Sequence, residues 1–325
     1  LMRVLVIGGA GQDGVLVSAQ LQSKGHEVIS VSRRRSPLSG VESEIADIGV
    51  EGVASSLVKK HRPDRIYYLA AYHRSSEAKD PDPADDVIGC LRLNAIAFAE
   101  TLGSARKHCP HSRTVYASSC RIFGEGNGSL LDENAPRTPV CAYGISKVAG
   151  MGTGELFRQE HGLFVSSAIL FNHESELRTP NFVSKKLVLA ALRAKANSSF
   201  VVTVGSLDAV ADWGSARDYC KGMTAMLEAE RPGDFVLASG KLRTVRDFAG
   251  EAFSCLGLDW KAHVREDPSA PRGRVWRLLG DSSQLKRQTG WNPLYDFSDM
   301  VRDLVKRTEA EEQNGQRSAD FHSYL

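Results

Sequence analysis

The sequence predicts a doubly wound parallel α/β sheet carrying a smaller C-terminal α/β lobe. Three observations support this. Strand-length apolar runs alternate with helix-length amphipathic stretches through the first half, a pattern that requires crossover helices on both faces of a parallel sheet. A glycine-rich loop stands at the first strand–helix junction. The chain has 325 residues, more than one compact core usually holds, so a large unit with a smaller appended one is the natural layout.

The elements follow in order. Arg3–Ile7 is a buried-strand run, Gly8–Gly14 the loop after it, and Val15–Ser23 a helix stopped by Gly25. Val28–Val31 gives a second strand, Val53–His61 a helix and Arg65–Leu69 a third strand. Val87–Lys107 reads as one long helix, followed by the strand Thr114–Ala117, the helix Tyr143–Glu160 and the strand Phe164–Leu170. Beyond Asn172 the pattern loosens. Helices are expected at Val183–Ala196, Ser215–Glu230 and Val245–Leu256, among Pro- and Gly-bearing loops and the short strands Phe200–Val204 and Asp234–Leu237. The charged tail Arg307–Ala319 reads as a frayed helix end. The expected domains are 1–171, binding a dinucleotide, and 172–325, mainly a substrate lobe interleaved with the last sheet strands.

Composition narrows the function. Lys and Arg number 41 against 39 Asp and Glu, which gives no global reason to expect nucleic acid. No apolar run approaches the roughly 20 residues that span a membrane, and the apolar opening Leu1–Ile7 has no cleavage pattern behind it. The six cysteines lack Cys-x-x-Cys spacing and read as reduced thiols, so the cytoplasm is the expected compartment. The histidines lack metal spacing, and no metal is expected.

Gly8, Gly11 and Gly14 form Gly-x-x-Gly-x-x-Gly between a strand and a helix. Glycine lets the backbone turn sharply and approach a pyrophosphate, whose charge then faces the helix N-terminus. This makes the first half a Rossmann-type NAD(P)-binding domain. An NAD enzyme usually places a carboxylate at the end of the second strand, but the chain reads Ser32-Arg33-Arg34-Arg35-Ser36. Guanidinium groups such as Arg33 and Arg34 suit a 2′-phosphate, so NADP is expected, with NAD the alternative. Asp47 is placed to meet the adenine amino group.

Tyr143 and Lys147 stand at i and i+4, on one helix face. A phenol titrates near ~10, and a nearby ammonium with the positive nicotinamide ring is expected to lower that value so that Tyr143 acts as a base. Upstream, Ala117-Ser118-Ser119-Cys120 ends a strand, where the Ser119 hydroxyl can bond the reacting oxygen.

With glycine loop, Ser119, Tyr143 and Lys147 in this order, the chain resembles the extended short-chain dehydrogenase/reductases, and among them the GDP-mannose 4,6-dehydratases. The resemblance runs over most of the chain, through Gly8–Gly14 with Gln12 and Asp13, Leu69-Ala70-Ala71, Asn94 and Tyr143–Lys147. Its narrower marks are Phe171-Asn172-His173-Glu174-Ser175 with Asn181-Phe182-Val183, and Gly205–Ala209 with Asp212-Trp213-Gly214. The resemblance implies a nucleotide-sugar substrate, a GDP-sugar by preference, and a homodimer or homotetramer. It assigns the nucleotide diphosphate and base to Asn172, Val183 and Lys186. A solvated helix face is the plain reading of Lys185. The unusual loop Tyr72-His73-Arg74 is expected to line the sugar pocket, and Arg272 to reach the diphosphate.

The pattern fails where the chemistry is most particular. The dehydratases oxidise C4, eliminate water across C5–C6 and return hydride to C6, with a glutamate two residues after the Ser/Thr serving the elimination. Here that residue is Arg121, which stays protonated and cannot be a base. The sequence leaves open a dehydratase that recruits Cys120, its thiolate favoured by Arg121, or Glu174. The alternatives are C4-only chemistry as a 4-ketoreductase or 4-epimerase, a shifted sugar specificity, and a catalytically idle cofactor-binding protein, against which the intact Tyr143 and Lys147 pair argues; the blocks Asn172–Val183 and Gly205–Gly214 favour the dehydratase-like reading.

Overall fold

The computed structural model describes residues 1–72, 83–269 and 276–313. A seven-stranded sheet, parallel throughout, runs in the order Asp234–Leu237, Phe164–Leu170, Arg113–Ser119, Arg65–Tyr68, Arg3–Ile7, Glu27–Ser32, Glu42–Ile45. The inner strands are apolar without alternation because helices cover both faces: Val4, Leu5, Val6 and Ile7 are all fully buried. The chain winds outward in both directions from Arg3–Ile7, so the order reverses between that strand and Arg65–Tyr68. Ile7 pairs in register with Val31 on one side and Tyr68 on the other. A crevice therefore opens beyond the carboxyl ends of these strands, at the position where open α/β sheets bind ligands.

The edge strand Glu42–Ile45 has no counterpart in the sequence reading. Its residues Glu-Ser-Glu-Ile are half-exposed and offer no apolar run; backbone pairing to Ile29–Ser32 alone makes it a strand. Its charge blunts the open edge against further pairing, and Glu44 is held by Lys60 and by His61 Nε2 at 2.8 Å.

The expected single helix over Val87–Lys107 is broken by a π turn. Pro83–Leu91 leads into the π segment Arg92–Ile96, and Ala97–His108 continues the α-helix. The widened turn frees carbonyls that α-helical bonding would occupy. Two buried tyrosines of the sheet use them: Tyr68 Oη donates to the Leu93 carbonyl and Tyr116 Oη to the Asn94 carbonyl, each at 2.6 Å. Both phenols sit where water does not reach, so an alternative acceptor would have to come from the protein.

The second half contributes to the same sheet. Helix Ala216–Glu228 packs its buried face, including Tyr219, Met223 and Leu227, on the main core, and Asp234–Leu237 completes the sheet edge. A second apolar cluster gathers Leu187, Trp213, Phe248, Phe253, Val301 and Leu304 from helices and short strands of that half. The charged tail refines one expectation. Helix Phe297–Gln313 begins well before Arg307 and buries Met300, Val301, Leu304, Val305 and Thr308 along one stripe, so the charged tail continues a packed helix whose last described turn is largely exposed. Among the described residues no helix is long and apolar enough to cross a membrane.

Asp212 explains one of the sequence blocks structurally. It is 1% exposed and accepts hydrogen bonds from the Ser239, Gly240 and Gly280 amides at 2.7, 3.0 and 3.1 Å, and from the Ser239 hydroxyl at 2.6 Å. Its neighbour Trp213 packs edge-on against Phe248. Asp212→Ala leaves three amides without their acceptor and is expected to cost about 3 kcal/mol, read as a lower urea midpoint at unchanged slope. A midpoint within error of the parent would show that these bonds do not fix the turn.

Candidate active site

The glycine loop is built by close approach. Gly8 has a φ of +92° and its amide donates to the Val31 carbonyl at 2.9 Å. A Cβ there would stand 2.5 Å from the Ala70 nitrogen, because Leu69 and Ala70 donate to the Ile7 carbonyl at 2.8 and 2.9 Å. A Cβ at Gly14 would lie 2.3 Å from the Gly8 carbonyl oxygen. Gly11 is the N-cap of helix Gln12–Ser23 and makes no side-chain cap, which leaves the amides of the first turn facing the crevice. Leu69, Ala70 and Ala71 lie alongside this loop.

Gln12 and Asp13, read as cofactor residues, are committed to the protein. Asp13 Oδ2 meets His173 Nε2 at 3.0 Å, and His173 Nδ1 pairs with the Phe171 carbonyl at 2.7 Å. Gln12 accepts from the Ser175 hydroxyl at 2.9 Å and donates to the His173 carbonyl at 3.2 Å. Together they tie the glycine helix to the strand Asn172–Glu174. Burial opposes the charge on both Asp13 and His173, but their attraction and hydrogen bond outweigh it. The Asp13 carboxyl is held below its ordinary value and the His173 imidazolium above its own.

A cavity of about 1120 Å³ opens at this loop, walled by Gly11, Gln12, Arg34, Arg35, Arg178 and Phe182 among others. Arg34 Nη2 donates to the Ala10 carbonyl at 3.4 Å, across the loop. Arg33, chosen from sequence, is exposed outside this wall, and Arg35 takes the place expected of it. Asp47 is exposed and caps the Gly49 amide at 2.9 Å.

Ser119 closes the strand Arg113–Ser119, while Tyr143 and Lys147 stand in the first turns of helix Ala142–His161. Gly144 brings them together: a Cβ there would lie 2.6 Å from the Arg121 carbonyl oxygen, so the helix start rests directly on the 3-10 turn Cys120–Phe123. The Ser119 side chain stands near enough to Tyr143 to favour its phenolate. Lys147 is 1% exposed; its Nζ donates to the Ala117 carbonyl at 2.6 Å and lies 5.5 Å from the Tyr143 ring centre. Asn94, turned inward by the π turn, donates to Ser146 Oγ at 2.9 Å and accepts from the Tyr72 amide at 3.0 Å, bracing the same helix from the other side.

Lys147 by itself does not lower the Tyr143 phenol. Burial pushes that phenol well up, Cys120 adds to this, and Ser119 and Arg178 offset only part. Burial likewise brings the Lys147 ammonium down to about 7. In a low-dielectric cleft the cost of charging either group exceeds what the other returns at this distance.

The two residues considered as substitute bases fail on geometry and charge. Cys120 is 4% exposed and burial raises its thiol to about 11, with Arg121 pulling only weakly the other way, so the thiolate is disfavoured. Glu174 is 3% exposed; its Oε2 takes the Ser184 hydroxyl at 2.7 Å and the Arg178 Nε at 3.3 Å. Arg121 donates its amide to Ser119 Oγ at 3.3 Å and lays its guanidinium over Trp276, 3.6 Å from the ring centre.

On the substrate side, Asn172 pairs in register with Trp213, Asn181 accepts from the Thr179 hydroxyl, and Val183 and Lys186 lie half-buried in the first turn of helix Val183–Ala196. Lys185 corrects the expectation of a solvated face. It is 4% exposed, donates to the Glu176 carbonyl at 2.8 Å and Thr308 Oγ1 at 2.9 Å, and pairs with Glu311 at 3.6 Å. His73, Arg74 and Arg272 lie outside the described residues. The sequence reading missed the part played by His173, by Arg178 and by Trp276. Only His173 carried a signal, since it stands inside the Asn-His-Glu block.

The model of the GDP-mannose 4,6 dehydratase family matches residues 5–304. GDP-mannose 4,6 dehydratase 2 of Arabidopsis thaliana is 34% identical over 322 residues, covering 93% of this chain and 85% of the relative. The GDP-mannose 4,6 dehydratase of Homo sapiens is 28% identical, covering 93% and 90%. Among solved structures, UDP-glucose 4-epimerase of Thermotoga maritima superposes with a TM-score of 0.83 at 21% identity, covering 96% of this chain and 100% of that one. A dTDP-glucose 4,6-dehydratase of Bacillus anthracis gives 0.81 at 19% identity, covering 98% and 100%. The two structures share the fold. The chain belongs to the GDP-mannose 4,6 dehydratase family.

The Asp13–His173 pair has a pH signature. His173, raised in the fold, contributes stability fully present below about 6.5 and lost as pH rises through its folded value; Asp13, lowered, contributes above about 3.9 and loses it as pH falls through its own. The melting gap between the parent and Asp13→Asn is therefore expected to narrow from about pH 6 to about pH 9. A gap constant across that range would contradict a charged pair.

Proposed function

We propose that this member of the GDP-mannose 4,6 dehydratase family oxidises C4 of a nucleotide-linked sugar, a GDP-sugar by preference, with NADP as hydride acceptor. The observation that carries this is the grouping of Ser119, at the end of its strand, with Tyr143 and the buried Lys147 on the helix whose start rests on the turn that follows Ser119. Bound NADP supplies the acceptor for the hydride leaving C4. Ser119 holds the C4 hydroxyl, and Tyr143 takes its proton. Lys147, poised at about 7 and fixed by the Ala117 carbonyl, favours the phenolate through the positive charge it keeps over part of the neutral range. The phenol, raised by burial, is matched to its task only when further positive charge enters the cleft, which a nicotinamide ring provides.

Arg34 and Arg35 in the cavity wall favour a 2′-phosphate, and no carboxylate stands in the Ser32–Ser36 stretch to hold a ribose hydroxyl pair. Exposed Ile88 (56%), Ile145 (47%) and Leu156 (47%) on neighbouring helices support self-association as a dimer or tetramer. All six cysteines are free, which fits the cytoplasm.

One observation favours a second form of the reading. With Arg121 in the glutamate position, Cys120 favoured as a thiol by burial and Glu174 engaged by Ser184 and Arg178, neither residue considered as a substitute base is free for a C5 proton. The C4 step then stands alone, as in a 4-epimerase or 4-ketoreductase.

Tyr143→Phe is expected to lower conversion of the nucleotide sugar to product by at least about 100-fold in either form. A variant keeping most of its turnover would overturn Tyr143 as the base. Mass spectrometry of GDP-mannose incubated with enzyme and NADP in deuterated water separates the forms. Loss of one water with deuterium at C5 means dehydration; an isomer without deuterium means epimerisation at C4. Replacing Arg34 and Arg35 together by Ala should weaken NADP binding by about tenfold or more while sparing NAD; equal losses for the two cofactors would count against the 2′-phosphate.

A further inference from the structure

Arg121 is a cation in an unusual position. Its backbone is fixed on both sides, by the amide bond to Ser119 Oγ and by the carbonyl that meets Gly144. Its guanidinium lies flat on Trp276, and Nη1 is buried with no hydrogen-bond partner. Among the described residues no carboxylate pairs with it. A buried guanidinium donor without an acceptor costs the protein stability and calls for a structural or functional reason. Stacking on an indole occupies one face and orients the guanidinium in its plane, so that its edge presents paired N–H groups. That edge matches a carboxylate, two bonds to two oxygens.

We propose that Arg121 is a specificity-determining residue that reads a carboxylate on the C5 side of the sugar. The bound substrate is then a nucleoside-diphosphate hexuronate in preference to the neutral hexose. This rests on the C4-only form of the reading above. Ser119 and Tyr143 address O4, and Arg121 stands in the position from which the dehydratase pattern acts on C5. A hexuronate has no hydroxyl to lose from C6, so the same substitution that removes the elimination base also reads a sugar that cannot undergo 4,6-elimination. The charge change at one position accounts for both.

The test is calorimetric binding to the full-length protein saturated with NADP. The probes are two matched pairs, GDP-mannose with GDP-mannuronate and UDP-glucose with UDP-glucuronate, together with GDP and UDP alone. In at least one pair the uronate is expected to bind about tenfold or more tighter than its hexose, the range of a charge-assisted bidentate contact. Arg121→Gln should erase that preference and leave hexose affinity within about twofold, since a rim of unchanged contacts holds the rest. Arg121→Lys, which keeps the charge but not the fork, should retain part of it, and circular dichroism with NADPH fluorescence confirms that each variant is folded. Equal affinity for hexose and uronate in the parent overturns the proposal. So does a uniform weakening of GDP, hexose and uronate in Arg121→Gln, which would place Arg121 on the diphosphate. Binding of no nucleotide sugar at all would overturn the nucleotide-sugar reading together with this one. A preserved uronate preference with no conversion of the uronate at C4 would count against the C4 chemistry alone.

Discussion

The close approach of Gly8 to the Leu69–Ala70 backbone is the constraint on which the rest of the molecule depends. It lets two strands on opposite sides of the order reversal end within reach of one another, so that a crevice forms with amides along its floor. Any side chain at Gly8 would collide with backbone, and backbone cannot swing aside. The glycine helix that follows is then pinned from the far half of the chain by Asp13 and His173. One loop geometry therefore fixes both the phosphate-facing helix and its distance from the Asn172–Glu174 strand.

The charges around the cleft form a graded system. Lys147 is stripped of solvent and sits near neutrality, Tyr143 is driven towards its protonated form, and Cys120 is kept a thiol. Arg178 contacts Glu174, stacks on Phe182 at 3.7 Å and is felt by both Tyr143 and Asp13. In the ligand-free cleft burial outweighs attraction between fixed charges, so the ionised phenol depends on charge that arrives from outside the chain.

Much of the fold was legible because its signals are local. The strands Arg3–Ile7 and Phe164–Leu170 and the helices Val53–His61 and Val183–Ala196 match their expected bounds, since unbroken apolar runs and 3.6-residue stripes record burial directly. Glu42–Ile45 was not legible: a charged edge strand exists through its neighbour's backbone and leaves no mark in its own residues. Helix Phe297–Gln313 was overlooked although its buried stripe is periodic, because its charge dominates a first reading. In the site, side-chain partners were not legible. The sequence placed Lys185 in water, whereas Thr308 and Glu311 from the far end of the chain hold it inside; nor did it show that Asp13 meets His173.

The π turn at Arg92–Ile96 has a consequence for how this chain can vary in length. A π turn carries one residue more than the α-helical path it replaces, and each helical residue advances the phase by about 100°. Deleting a single residue there would restore regular winding and leave Phe98, Leu102 and Ala105 in phase with the sheet they pack upon, because the π turn spans the same angle with one residue more. It would, however, withdraw the two carbonyls that receive Tyr68 and Tyr116. The residue count of this segment is thus set by two buried phenols in need of acceptors, and not by the phase of the helix.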